Sequence, residues 1–146
     1  MNFRINILFS IVFSAFTFTI LAQNYCPEKR LLLEKYKAGD YIQSKAYIDT
    51  VLLRCPDQKD NAYFWHISAF INFNIFQKVD NKSPISKARK EAVSAVLKSI
   101  ELDKDDQYLE HNHQVTNVLA NGFYNHYVGF LDTINYEKAV EFYQEF

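Results

Sequence analysis

Histidine and aspartate are the metal-ligating and acid–base side chains that cluster in this sequence. His111 and His113 are two residues apart, so a helix points them to different sides and they would not share one metal ion. The acidic residues Asp103, Asp105 and Asp106 resemble the start of a calcium loop, but the glycine that turns such a loop is missing. We therefore interpret the histidines as solvated and the aspartates as a helix cap.

Common sequence signatures of catalysis are missing as well. The chain has no glycine-rich phosphate loop and no His-Glu-x-x-His, Cys-x-x-Cys or Gly-x-Ser-x-Gly motif. A basic run, Lys87, Arg89 and Lys90, and an acidic run over 101–106 are interpreted as solvated helix surface. We therefore predict that the protein is not an enzyme and that it has no catalytic, cofactor-binding or metal-binding residue.

Asparagine recurs at one-turn spacing in one segment. Three asparagines are four residues apart, and a glutamine and a tyrosine lie beside them; the set is Gln114, Asn117, Asn121, Tyr124 and Asn125. Asparagine lowers helix propensity, so its repetition indicates a role other than helix stability. Side-chain amides bond both the N–H and the C=O of an extended peptide, and we predict a partner-binding stripe. The alternative is an ordinary solvated helix face.

Helices must position these residues. Only three glycines and three prolines interrupt the chain, which is too few turn residues for a strand-rich domain. Apolar residues at three- and four-residue steps, with capping residues between them, predict an all-α fold. The predicted helices cover 27–39, 40–56, 61–76, 84–103, 108–130 and 135–146. The aromatic residues within 63–76 belong either to the core or to an exposed groove.

Internal repetition gives this pattern its organisation. The small residues Ser44, Ala92 and Ala139 recur 48 and 47 positions apart, and the first unit also carries Gly39, Tyr41, Ile48, Val51 and Pro56. This arrangement resembles the tetratricopeptide repeat family, whose second helix begins with a Gly-x-Tyr-x-x-Ala type signature and ends before a proline. The repeat here is longer than the family's usual period of about 34 residues.

The resemblance implies antiparallel helical hairpins stacked as a tetratricopeptide-like α-solenoid, about two and a half units over residues 23–146. In that family the first helix of each unit lines a concave surface that grips peptides, which is where the asparagine stripe would lie. The alternative fold is an unrelated helical bundle. The sequence reaches Phe146 within a predicted helix, so we expect a longer polypeptide, or self-association through an open C-terminal end.

The resemblance thus implies an exported scaffold that binds protein or peptide partners. Its alternative is the N-terminal accessory domain of a larger exported enzyme or sensor, and a third reading is a self-associating envelope protein. The formal net charge of −1 gives no electrostatic case for nucleic acid. No cofactor is predicted.

Export is predicted from the N-terminal segment. Residues 1–22 combine a short start carrying Arg4, an apolar stretch and a small residue, Ala22, which is typical of a cleaved secretory signal peptide. The alternative is an uncleaved membrane anchor of similar length. After cleavage we expect no stable membrane span, and a periplasmic or extracellular location, typical of a Gram-negative bacterium.

The two cysteines are predicted to pair. Cys26 precedes the first helix and Cys55 closes the second, so an antiparallel hairpin places them side by side, and an oxidising compartment allows the bond. The alternative is two buried free thiols.

Overall fold

In this computed structural model, residues 26–132 and 135–145 are described, and they are all-helical with no strand among them. The predicted signal peptide, 1–22, lies outside these residues. Within the described residues, six α-helices follow one another, together with a short 3₁₀ helix, Pro56–Gln58, between the second and the third. The α-helices are α1, Glu28–Lys37; α2, Tyr41–Arg54; α3, Ala62–Lys78; α4, Lys87–Leu102; α5, Leu109–Asp132; and α6, Tyr136–Glu145.

A turn that depends on Gly39 ends α1. Gly39 has φ of 74°, in the left-handed region that favours glycine. Its N–H donates to the carbonyl of Tyr36 at 3.0 Å, and the N–H of Asp40 donates to that of Lys35 at 3.0 Å, which together form a Schellman motif. The carboxylate of Asp40 then accepts the N–H of Gln43 at 3.1 Å. The predicted cap of α2 is therefore confirmed.

Side-chain caps also define the starts of later helices. Asn61 accepts the N–H of Tyr63 at 3.0 Å at the start of α3, where the sequence predicted a helix to begin. Ser86 accepts the N–H of Arg89 at 3.1 Å at the start of α4. Each cap satisfies a backbone donor that the first helical turn leaves without an intrahelical partner.

Asp103 fixes the turn into α5. Its two carboxylate oxygens accept the N–H groups of Gln107 at 3.0 Å and of Tyr108 at 2.6 Å. Asp106, within this turn, has φ of 54°. Asp103 thus stabilises the turn before α5 and does not cap the first turn of that helix, because both N–H groups belong to residues that precede Leu109.

The predicted helix bounds differ from the structure at several ends. Pro27 is the N-cap, and α1 begins one residue later because Pro27 itself precedes the helical hydrogen bonds. Helix α3 continues beyond Phe76 to Lys78, since the N–H of Val79 still donates to the carbonyl of Ile75 at 2.8 Å. The 3₁₀ helix lies largely within 57–60, the segment between the predicted helices 40–56 and 61–76.

Consecutive helices form three hairpins, α1–α2, α3–α4 and α5–α6. Helix α2 also packs on α3, and α4 packs on α5; α3 and α5 contact each other directly. The small repeat residues Ser44, Ala92 and Ala139 are all buried. Small side chains at these positions let neighbouring helices approach closely.

Apolar residues at helical spacing form the core, with two departures from expectation: Val118, which its spacing places in the apolar stripe of α5, and Arg89. Val115, Leu119 and Phe123 of α5 are buried, but Val118 is 46% exposed because it lies on the flank of the helix. Arg89 is 0% exposed, so its interpretation as solvated surface is wrong; its guanidinium packs over the ring of Phe123 at 3.7 Å. A planar guanidinium stacks on an aromatic face more readily than an ammonium does.

Cys26 and Cys55 are joined at disulfide distance, with the sulfurs 2.03 Å apart. The pair ties the residue before α1 to the residue after α2, as predicted from the hairpin. It is compatible with an oxidising, exported compartment. Among the described helices, none is both long enough and apolar enough to cross a bilayer.

Candidate functional site

The junction between α3 and α5 brings together two residues of the predicted stripe and a cluster of aromatic and histidine rings. Early residues of α3 meet early residues of α5, and late residues meet late ones, so the two helices run in the same direction. We call this junction the α3–α5 groove. It has an amide-lined cavity at the C-terminal end of α3 and a cluster of rings at the N-terminal end.

The amide-lined cavity has a volume of about 330 Å³. Asn121 and Asn125 of the predicted stripe line it, and both are exposed. Polar side chains from the end of α3 and the following loop, Gln77 and Lys82, face them. The remaining lining residues are Phe76, Val118, Gly122 and His126.

The other members of the predicted stripe do not line this cavity. Gln114 donates to the carboxylate of Glu110 at 2.9 Å, one turn earlier on the same helix. Asn117 is exposed, and Tyr124 is 54% exposed. The structure therefore brings together two of the five stripe residues, because a stripe at four-residue spacing drifts around the helix and only part of it faces α3.

A buried cation supports the wall of the cavity. Arg89 places Nη1 2.8 Å from Nδ1 of His126 and donates from Nη2 to the carbonyl of Pro84 at 2.8 Å. Because a guanidinium only donates, Nδ1 of His126 accepts and the proton lies on Nε2. Burial, and then the charge of Arg89, lower the pKa of His126. The cavity is thus lined by a neutral imidazole.

The ring cluster lies at the other end of the groove. His66 stacks on Tyr108, with centroids 4.7 Å apart, and lies 4.8 Å from Phe70 and 5.9 Å from His111. Tyr63 completes the cluster, 6.0 Å from Tyr108. These rings offer faces and edges for stacking with a ligand side chain.

A buried hydrogen-bond chain orients His66. Asn112 donates from Nδ2 to the hydroxyl of Ser99 at 2.9 Å, and Ser99 donates to the carbonyl of Ala62 at 3.2 Å. This arrangement directs Oδ1 of Asn112 to Nδ1 of His66 at 3.0 Å, so Nδ1 carries the proton and Nε2 is the acceptor. Burial, the largest cause, and the neighbouring His111 lower the pKa of His66, against the opposing effects of Asn112 and Asp103.

Although it contains a serine and a histidine, this hydrogen-bond chain does not activate a nucleophile. Ser99 and Asn112 are both 0% exposed, and their side-chain polar atoms are already hydrogen-bonded to other residues, so neither is available to a substrate. The sequence pattern points to His111 and His113 and gives no comparable indication for His66 and Asn112. The signal that was present is the i, i+4 pair His66 and Phe70 on α3.

Within the described residues, one group has metal-ligating atoms close together: Cys26, Glu28 and Cys55. Its two sulfurs are bonded to each other, whereas a metal takes the thiolate form. The group therefore does not offer a metal site in its disulfide form. His111 and His113 are both exposed, in agreement with their interpretation as solvated side chains.

Comparisons of the chain with protein-family models, curated proteins and solved structures gave no significant match. The tetratricopeptide resemblance thus stays a prediction from the residues that carry it.

Proposed function

We propose that this chain is an exported, tetratricopeptide-like helical scaffold that binds an extended segment of a protein or peptide partner along the α3–α5 groove. The observation that carries the proposal is the amide-lined cavity of about 330 Å³, in which Asn121 and Asn125 lie opposite Gln77 and Lys82. These side chains offer both donors and acceptors to a peptide backbone.

The length of the groove suits a short segment. Its span on α3, from Tyr63 to Gln77, is roughly 21 Å at 1.5 Å per helical residue. About six residues of extended chain cover that length at ~3.3 Å each. The ring cluster would hold an aromatic or apolar ligand side chain, and the amides would bond the ligand backbone. Val118, an exposed lining residue of the same cavity, adds apolar contact.

Export is part of the proposal. It is supported by the N-terminal signal pattern and by the cysteine pair, which is compatible with an oxidising compartment. An exported scaffold would meet its partners in the cell envelope or outside the cell.

The test begins with a library of random dodecapeptides panned against the purified mature protein with its disulfide intact. Enriched peptides are synthesised, and their Kd is measured on the wild type and on the double variant Asn121→Ala, Asn125→Ala. Two lost hydrogen bonds of about 1 kcal/mol each correspond to a roughly 30-fold higher Kd.

The double variant Gln114→Ala, Asn117→Ala is the matched control. It removes two amides from the same helix, and these amides do not line the cavity. Its Kd should stay within about twofold of the wild type, as for surface substitutions that touch no ligand. The proposal fails if no peptide is enriched, or if the two double variants bind every selected peptide equally.

A further inference from the structure

A second groove lies on the opposite side of α3. Trp65, Ser68 and Asn72 form one stripe of this helix, and His66 and Phe70 form the other, facing α5. The groove is open to solvent, has a volume of about 600 Å³ and is formed by α2, α3, α4 and the loop carrying Lys59. We call it the α2–α4 groove. Nothing in the proposed function uses it.

Its floor contains a buried acceptor that lacks a partner. Asn72 is 1% exposed, and its Nδ2 donates to the carbonyl of Ser68 at 3.0 Å. Its Oδ1 has no hydrogen-bond partner among the described residues. A buried amide oxygen without a donor is unfavourable, and a ligand N–H placed there would remove the penalty.

Positive charge predominates at the rim. Four lysines and two carboxylates line the groove: Lys45, Lys59, Lys87, Lys90, Asp49 and Glu91. Lys45 pairs with Asp49 at 2.6 Å and with Glu91 at 3.1 Å, and Lys87 also pairs with Glu91 at 3.1 Å. Both carboxylates are thus engaged by lysines, and Lys59 has no ion pair among the described residues. The groove therefore attracts an anionic ligand although the whole chain is near neutral.

An apolar surface lies beside these charges. Leu53 is 72% exposed, and Leu52 and Trp65 are half-buried next to it. The indole N–H of Trp65 donates to the carbonyl of Lys59 at 2.7 Å, which holds the ring in place. A ligand with an apolar side chain would cover Leu53 and gain the free energy of apolar burial.

We propose that the α2–α4 groove binds an acidic peptide segment. A backbone N–H of the segment donates to Oδ1 of Asn72, its carboxylates pair with the rim lysines, and an apolar side chain packs between Leu53 and Trp65. The same chain would then hold two ligands on opposite sides of α3.

The probe is a library of acetylated octapeptides in which Asp or Glu alternates with Leu, Phe or Tyr. A matched library with Lys at every acidic position is the control. Acidic peptides should be enriched and the lysine peptides should not. Raising NaCl from about 50 to about 500 mM should weaken the enriched peptides about tenfold or more. Equal binding of both libraries would overturn the proposal.

Two variants locate the site. Asn72→Leu is nearly isosteric and removes the unpartnered oxygen, so it should raise Kd about tenfold while the thermal midpoint stays the same or rises. Lys87→Glu changes an exposed rim charge and should raise Kd by a similar factor. If Asn72→Leu lowers the thermal midpoint, the Kd of Lys87→Glu alone tests the proposal. The Lys87 side chain is 88% exposed, so this substitution does not affect the core.

The double variant Asn121→Ala, Asn125→Ala separates the two grooves. Acidic peptides should bind it as tightly as the wild type, because both residues lie in the α3–α5 groove. Loss of binding in this variant, with Lys87→Glu unaffected, would assign the peptide to the α3–α5 groove and overturn the proposal for the α2–α4 groove.

Discussion

Arg89 and His126 are joined across 37 residues of sequence, with Nη1 of the arginine 2.8 Å from Nδ1 of the histidine. The guanidinium cannot accept, so this contact exists only with a neutral imidazole. Protonation of His126 would place two cations against each other in a half-buried position. The contact therefore links the folded state to pH.

We expect stability to fall as the solution becomes mildly acidic. The folded-state pKa values of His126 and His66 are both lowered from 6.5, first by burial. The unfolded chain thus binds protons at a higher pH than the native chain does. The contribution is fully present above pH 6.5 and is lost as pH falls below it towards the native pKa values.

Thermal midpoints between about pH 7.5 and pH 5.5 test this expectation, since carboxylates titrate mostly below that range. The variant His126→Gln keeps an acceptor for Arg89 and does not titrate, so its midpoint should depend less on pH. The same pH dependence in the wild type and in His126→Gln would contradict the assigned role of His126.

Replacing Arg89 by lysine should destabilise the fold. The ammonium lacks the planar fork that bonds both Pro84 and His126 and stacks on Phe123. We expect a loss of about 2 kcal/mol or more in the free energy of unfolding, measured in urea. The exposed neighbour Lys90→Arg is the control, with a change within about 0.5 kcal/mol. A wild-type unfolding curve for Arg89→Lys would contradict this account.

Reduction of the disulfide should lower stability substantially. Cys26 and Cys55 are 29 residues apart, and closing a loop of that size corresponds to about 3 to 4 kcal/mol in the chain-entropy treatment. The oxidised protein should therefore have the highest free energy of unfolding. The reduced protein and the double variant Cys26→Ser, Cys55→Ser should have similar, lower values. Two alkylatable thiols in the unreduced, denatured protein would refute the bond itself.

Removing the carboxylate of Asp103 should destabilise the turn that leads into α5. Its carboxylate accepts two backbone N–H groups, at 3.0 and 2.6 Å. Asp103→Ala should cost about 1 to 2 kcal/mol, because both hydrogen bonds to the charged carboxylate are lost. The neighbouring exposed Asp105, replaced by alanine, should change stability by less than about 0.5 kcal/mol. Chemical denaturation of both variants distinguishes the loss of these specific hydrogen bonds from a general loss of charge.

The mature N-terminus should be Gln23. The small residue Ala22 before a polar segment fits the usual cleavage pattern. Intact-mass analysis of protein recovered from an envelope or medium fraction should show a chain beginning at Gln23. A species that retains Met1 would favour the membrane-anchor alternative.

Local signals predicted much of the helical structure. Asp40 and Asn61 were read as helix starts because short polar side chains accept backbone N–H groups, and both do so. The small repeat residue Ala92 is buried as the pattern required. Helix periodicity and capping are properties of neighbouring residues, and a single sequence carries them directly.

Contacts between distant residues were not predictable in the same way. His66 meets Asn112 across 46 residues, and no local pattern indicates which asparagine turns inward. Arg89 lies between two lysines and was read as solvent-facing, yet it alone of the three is buried. The stripe on α5 follows from the local spacing of its residues. Which of them face α3 depends on the relative rotation of the two helices, and the sequence does not show this.

The hydrogen-bond chain from Asn112 through Ser99 to Ala62 also determines how α3, α4 and α5 are aligned along their axes. Apolar side chains tolerate sliding of one helix along another, because contact area changes little over a small displacement. These hydrogen bonds connect α5, α4 and the start of α3 in a single axial position. A shift of one helical turn would leave buried polar atoms unsatisfied all at once. Successive hairpins are therefore held in one register along their axes.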